Sequence, residues 1–465
     1  MERKIKVFGL AAVLMLAALV IGCKQNISTS KVAVTGVTLN ESELTLEEGK
    51  TVTLTATVNP ENATNKKVTW SSDKADIAAV DKDGTVTAHK AGEAVITVKS
   101  EDGGKTASCK VTVTLIEYTI TYHLDGGSNH ADNPAKYTVE TETITLQPAN
   151  KADHIFFGWY GNADFSGEKV TQIGKGNSGN KELHAKFIEM KMIDIDAVTN
   201  GNLGHNDESN NTVHTVSLTA YRIGETEVTQ ELWQAVMNNN PSWFNGDPGK
   251  EAADGEEQKK CPVECVSWYH AIAFCNKLSI ACGLEPCYTV KDINFDTLTF
   301  HDLPTSHNSD WDSALCDWSK NGFRLPTEAE WEWAAMGGTS DKWAGTNNKS
   351  ELKDYAWYKH DGEGNANGKT HEVKKKKANG YGLYDMSGNV WEWCWDRYDS
   401  LPNSMEKDYA GAVSGFRRVG RGGNWNGDAD SAARAYRSNC TPDGSLSYAP
   451  CYSYSGLGFR LACRP

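Results

Sequence analysis

The sequence predicts a multidomain chain: an all-β sandwich first, then a second small β unit, then a C-terminal α+β domain built largely of loops. Three observations carry this. Period-two alternation of apolar residues dominates the first part, as in Val52, Leu54, Ala56 and Val58. Helix start signals appear only beyond about residue 190. The chain has 465 residues, more than one hydrophobic core organises. Hydrophobics make up 39% and charged residues 23%, which is globular composition rather than disorder. Forty-two Gly, 15 Trp and 17 Tyr point to many loops held by aromatic anchors. The net charge of −14 argues against nucleic acid as a partner and against a basic membrane-surface patch.

Residues 1–22 have the shape of a signal peptide. Arg3, Lys4 and Lys6 precede an apolar run over residues 7–21, too short for a comfortable membrane span. The run ends Val20-Ile21-Gly22-Cys23, which resembles a bacterial lipobox. That resemblance implies acylation at Cys23 and attachment to a membrane through the lipid, where each buried methylene contributes roughly 0.8 kcal/mol. Lys24 follows, with no Asp retention signal, so the expected destination is the outer membrane or cell surface. Residues 23–33 read as a tether.

Residues 34–116 read as the sandwich. Alternation over residues 51–58 predicts one strand, and Ala94, Ile96 and Val98, then Val111, Val113 and Leu115, repeat the pattern. Asp83-Gly84 is a hairpin signal, and Trp70 is placed to fill the space between two sheets. The run Val68-Thr69-Trp70-Ser71-Ser72 followed by Val80-Asp81 and Asp83-Gly84-Thr85-Val86 resembles the group-2 bacterial immunoglobulin-like (Ig-like) domain. The resemblance implies a stalk or adhesive module. Residues 117–188 contain Tyr122-His123-Leu124-Asp125-Gly126-Gly127, Phe157-Gly158-Trp159-Tyr160 and Leu183-His184-Ala185-Lys186-Phe187. They resemble the Listeria–Bacteroides repeat, which implies a small β-grasp-like fold. His123 and His184 sit in strand patterns far from any metal spacing and read as structural.

From residue 190 to 465 the texture changes. Thr229 is set to cap a helix bearing Leu232, Trp233 and Val236, and Ser267 another bearing Ala271, Phe274, Cys275 and Leu278. Thr327 and Glu330 form a capping box ahead of Trp331 and Ala334. Motifs recur in order: Pro262-Val263-Glu264-Cys265-Val266-Ser267-Trp268, Arg324-Leu325-Pro326-Thr327-Glu328-Ala329-Glu330-Trp331-Glu332, Gly388-Asn389-Val390-Trp391-Glu392-Trp393, Arg421-Gly422-Gly423-Asn424-Trp425 and Gly458-Phe459-Arg460. They resemble the formylglycine-generating enzyme (sulfatase-modifying factor) family. That implies a variant of the C-type lectin fold, with loops held by buried Trp, Arg and Asn hydrogen bonds.

The family's enzymes oxidise a sulfatase cysteine with two cysteines that ligate Cu(I), a soft ion suited to paired thiolates. The resemblance implies the first cysteine three residues after Asn424, and Gly427 stands there; the second falls at 430–432, where no cysteine occurs. Cys440 and Cys451 lie beyond. We therefore expect no copper and no formylglycine-generating activity. The stretch 425–455 is instead rich in Tyr, Ser, Asn and Asp, the composition of adaptable binding surfaces. It occupies the position of the variable region of treponemal variable lipoproteins, which it resembles. The expected contact residues are Trp425, Asn426, Asp428, Asp430, Tyr436, Asn439, Tyr448, Tyr452 and Tyr454, and the expected partner is an extracellular protein or glycan.

Asn389 and Glu392 match a calcium-holding turn of the family, which implies a structural Ca²⁺ held by hard oxygens. Oxygens alternate at Asn424, Asn426, Asp428 and Asp430, yet the glycine and terminal Glu of an EF-hand are missing. Cys261 and Cys265 lack a second pair for zinc. Cys275 and Cys463 fall near positions that the family joins by a disulfide, worth about 4–5 kcal/mol for so long a loop. Lys374–Lys377 and residues 246–258 read as solvated loops.

Overall fold

The computed structural model describes residues 30–359, 365–402, 406–441 and 455–465. The chain divides into two compact units between Glu117 and Tyr118.

The first unit is built from β1 (Gly36–Leu39), β2 (Glu43–Glu47), β3 (Thr51–Thr53), β4 (Ala56–Asn59), β5 (Val68–Ser72), β6 (Ala78–Val80), β7 (Thr85–Ala88), β8 (Gly92–Ser100) and β9 (Thr106–Thr114). One sheet has the order β2-β9-β8-β5, and β3-β7-β6 and β1-β4 complete the sandwich. The single strand expected over residues 51–58 is split. Val52 pairs with Val86, while Val58 pairs with Val37. Leu54 at the break stays buried at 1% exposure, so alternation reported the buried face and not the change of partner strand. Trp70 packs against both apolar clusters of the unit, as its position suggested. Gly84 turns the hairpin with φ +87°; a Cβ there would lie 2.5 Å from the Leu54 carbonyl and 2.8 Å from the Trp70 ring.

The second unit opens with β10 (Tyr118–His123), β11 (Lys136–Tyr137), β12 (Ile144–Thr145), β13 (His154–Tyr160), β14 (Gln172–Ile173) and β15 (Lys181–Glu189). Four of these form a sheet in the order β11-β10-β15-β13, with β10 and β15 parallel. Trp159 fills its core and donates to the Gln147 carbonyl at 3.0 Å. This module is not a free-standing spacer. Ile155, Phe157 and Ile188 join the main apolar core of the C-terminal domain, and Lys374 bridges Glu189 and Glu225.

The C-terminal domain carries β16 (Met192–Ile195), β17 (Val198–Leu203), β18 (His214–Leu218), β19 (Tyr221–Gly224), α1 (Gln230–Met237), α2 (Trp268–Ala281), β20 (Tyr288–Thr289), α3 (Ser309–Asp312), β21 (Leu315–Cys316), α4 (Glu328–Met336), β22 (Trp391–Arg397), β23 (Arg418–Arg421), β24 (Ser438–Cys440), β25 (Leu457–Gly458) and β26 (Ala462–Cys463). Thr229, Ser267 and Thr327 cap α1, α2 and α4 as their sequence contexts require. Trp233 stacks on Phe274 with centroids 5.2 Å apart, and Phe459 closes edge-on at 5.3 Å from Phe274. The sheet β24-β23-β22-β25 stands beside this core.

Long irregular loops are held by buried ions. Glu328, Glu330 and Glu332 of α4 are all buried. Arg437 forks onto Glu328 at 2.6 and 2.7 Å, Arg324 onto Glu330 at 2.7 Å twice, and Arg434 reaches Glu332 at 2.8 Å beside Arg421. Arg460 grips both oxygens of Glu392 at 2.6 Å. Buried carboxylates require such partners, and bidentate pairing also fixes orientation.

Candidate functional site

The loop that leaves β23 begins Gly422-Gly423, with φ +93° and +75°. A Cβ at Gly423 would lie 2.8 Å from the Ala432 Cα and the Ser431 carbonyl, so only glycine lets the backbone fold back on itself here. Asn424 then ties the two ends of the stretch together. Its Oδ1 accepts from the Asn426 N–H at 3.1 Å, and its Nδ2 donates to the Gly456 carbonyl at 3.3 Å. The Trp425 N–H donates to the Asn389 carbonyl at 2.8 Å, and its indole donates to the Ser455 carbonyl at 2.8 Å. The described ends of the 425–455 stretch are thus clamped to each other and to the domain.

Trp425, expected at the binding surface, is buried. It is 7% exposed and meets Phe244 edge-to-face at 5.4 Å. Phe244 is in turn held by Glu264, which accepts the N–H groups of Trp243 at 3.0 Å and Phe244 at 2.8 Å. Trp243 remains 45% exposed at the rim, with Lys250 3.9 Å from its ring centroid. Nothing local in the sequence announces Phe244 beside Trp425; the signal that was present is Glu264, within the run 262–268.

The other expected contact residues divide by environment. Asn426, Asp428 and Asp430 are exposed together. Asp428 accepts from the Ser431 N–H at 2.8 Å, and Asp430 pairs with Lys342 at 3.0 Å. Tyr436 is half-buried against Trp391 at 5.9 Å, and Asn439 accepts from Arg417. Tyr448, Tyr452 and Tyr454 lie outside the described residues, as does Cys23.

A Cβ built on Gly427 would stand 2.5 Å from the Ser431 Oγ. Two positions flagged for the copper ligands therefore do meet in space, but they carry a hydrogen and a hydroxyl. The residues present do not fit a cuprous ion, which needs sulfur. Cys440 does not replace them: it is 4% exposed, and burial pushes its thiol up to about 11, so it stays protonated. Cys451 lies outside the described residues.

Two further expectations are corrected. Both Glu392 oxygens are taken by Arg460, and one also accepts from the Trp331 indole at 2.6 Å. Asn389 spends its amide on Glu227 at 2.7 Å and the His371 backbone. The side chains of Asn389 and Glu392 thus act as internal hydrogen-bonding partners. Cys275 and Cys463 are both free buried thiols in the same apolar core, where they pack as small hydrophobes instead of bridging.

The presumed solvent loops are engaged as well. Lys375 pairs with Glu372, Lys377 with Asp354, and Lys376 lies 3.7 Å from the Trp357 ring centroid. Glu256 of the acidic insertion pairs with His371 at 2.9 Å and accepts the Glu372 N–H at 2.8 Å. Burial pushes Asp385 up to about 6 and Asp396 up to about 8.

Burial also raises Glu264 from its ordinary 4.5 to about 7. Its folded pKa lies above its unfolded one, so the folded chain holds that proton more tightly. This contribution to stability is full below about pH 4.5 and is lost as the pH rises to about 7. Glu264→Gln, which cannot ionise, is expected to flatten that part of the stability curve. Melting temperatures at pH 5 and pH 8 check it, and an unaltered slope would contradict it.

The sulfatase-modifying factor enzyme 1-like domain family matches residues 185–464, the group-2 bacterial Ig-like domain residues 33–111, and the Listeria–Bacteroides repeat residues 118–186. The solved Treponema denticola variable protein 1 is 58% identical with a TM-score of 0.55, covering 60% of this chain and 96% of its own. The chaperone protein LppX of Paenibacillus barcinonensis is 37% identical over 238 residues, 48% of this chain and 75% of that protein. The formylglycine-generating enzyme of Mus musculus is 38% identical over 175 residues, and the match spans 34% of this chain and 44% of the mouse enzyme. With its framework of buried Arg–Glu pairs and capped helices, this chain belongs to the sulfatase-modifying factor enzyme 1-like domain family.

Proposed function

We propose that this protein is a lipid-anchored protein of the bacterial cell envelope, displayed at the outer membrane or cell surface. Its C-terminal domain recognises an extracellular protein or glycan through the 425–455 stretch and does not generate formylglycine. The observation that carries this reading is the pairing of Gly427 with Ser431. The fold still brings these two positions together, yet neither offers a thiolate to a metal or to a substrate cysteine. The clamp of Asn424 on Gly456, and of Trp425 on Ser455, supports a loop whose ends are fixed while its middle is free to differ in sequence. Similarity to a spirochaete variable protein supports the same reading. Gly22-Cys23 after an apolar run supports the anchor.

Arrays of glycans and purified extracellular-matrix proteins probed with the full chain test the reading. Substituting Tyr448, Tyr452 and Tyr454 with Ala is expected to cut capture at least tenfold, because each aromatic anchor supplies large contact area. Melting should be unchanged. Loss of the fold in that variant would make the tyrosines core residues and would contradict the assignment.

A further inference from the structure

Two histidines distant in sequence meet on an exposed face of the β10/β15 sheet. The parallel register places His123 directly beside His184, and Glu182 lies two residues earlier on the same face of β15. The imidazole rings stack with centroids 4.2 Å apart and planes 7° from parallel. His123 Nε2 lies 2.8 Å from a Glu182 carboxylate oxygen. One donor atom from each of the three residues falls within 4.8 Å of the others.

We propose that His123, His184 and Glu182 form a binding site for a borderline divalent transition cation of the zinc class. The donor types are those that such ions select, two imidazoles and one carboxylate. The spacing suits it. Tetrahedral bonds of about 2.0–2.1 Å place ligand atoms about 3.3 Å apart, so small side-chain rotations close the set. His123 and Glu182 side chains are 43% and 64% exposed, which leaves them free to make those rotations. The base is rigid: β15 is paired on both sides, by β10 and by β13, and His184 lies directly across from buried Tyr160. Among the described residues the ring of His184 makes no hydrogen bond that a metal would have to break. Three protein donors leave one coordination position for water.

The site is independent of the 425–455 stretch, and its failure would leave the proposed function standing. The test is titration of the full chain with Co²⁺, followed by displacement with Zn²⁺. The expected result is visible d–d absorption without a thiolate-to-cobalt charge-transfer band, since no cysteine takes part. His184→Ala is expected to remove the signal. Glu182→Gln should weaken binding by at least about tenfold, the lower end of what loss of a mere supporting group costs at metal sites. Circular dichroism monitors the fold. Should His184→Ala perturb it, Glu182→Gln at an exposed carboxylate supplies the comparison. No absorption with the wild-type chain, a thiolate band, or an unchanged titration in His123→Ala/His184→Ala would each overturn the site.

Discussion

Arg460→Leu is expected to destabilise the C-terminal domain by about 3–5 kcal/mol, the cost of leaving a buried charge without its partner. Arg460 is fully buried and grips both oxygens of Glu392. It also donates to the Gly224 carbonyl at 2.9 Å and the Tyr384 carbonyl at 3.0 Å. The same guanidinium offsets two other buried carboxyls. Burial pushes Glu227 well above the usual range, with Asp385 and Glu392 adding to the rise and Arg460 opposing it. Leucine would fill much of the volume but would leave three acids and two carbonyls without their counter-group. Against a typical total of about 5–15 kcal/mol, that loss removes a large share of the domain's stability. The readout is the urea midpoint of the full chain. An unfolding free energy, taken from that midpoint and the slope m, within about 0.5 kcal/mol of wild type would contradict the role assigned to this pair, since that is the range of ordinary surface substitutions. The exposed Lys342–Asp430 pair provides the contrast, because exposed ion pairs contribute only about 0–1 kcal/mol.

Much of the fold was legible because local rules set it. Thr229, Ser267 and Thr327 each accept the N–H three residues on, and His270 and Glu330 bond back through their side chains. The alternation of Ala94, Ile96 and Val98, and of Val111 and Val113, names a buried face correctly. What local rules cannot carry is the identity of distant partners. The break of residues 51–58 between two sheets leaves the alternation intact, so nothing in that segment announces it. Arg437 and Arg434 sit in a stretch that reads as a polar binding surface, yet both turn inward to Glu328 and Glu332, more than 100 positions away in sequence. Trp425 looks like an aromatic contact residue until Phe244 and Ser455 are seen to enclose it. Glu392 reads as a ligand for calcium until Arg460 supplies the positive charge. His123 and His184 show no metal spacing because a parallel pairing, not a short motif, brings them side by side.

The meeting of Gly427 with Ser431 separates two kinds of change that a family member can undergo. The turn that Gly423 allows brings Gly427 against Ser431 in this chain. What the two positions offer there is a hydrogen and a hydroxyl. A hydroxyl and a hydrogen cannot replace two thiolates, either as donors to a soft metal or as exchange partners for a substrate cysteine. The most direct measurement is therefore to incubate the purified full chain with cuprous ion, O₂ and a peptide bearing a sulfatase-type Cys-x-Pro-x-Arg sequence, and to follow conversion of its cysteine to an aldehyde by mass spectrometry. The account predicts that the peptide keeps its thiol over many hours while an active family enzyme run alongside consumes it. Aldehyde formed by this chain at a rate that scales with its concentration would contradict it.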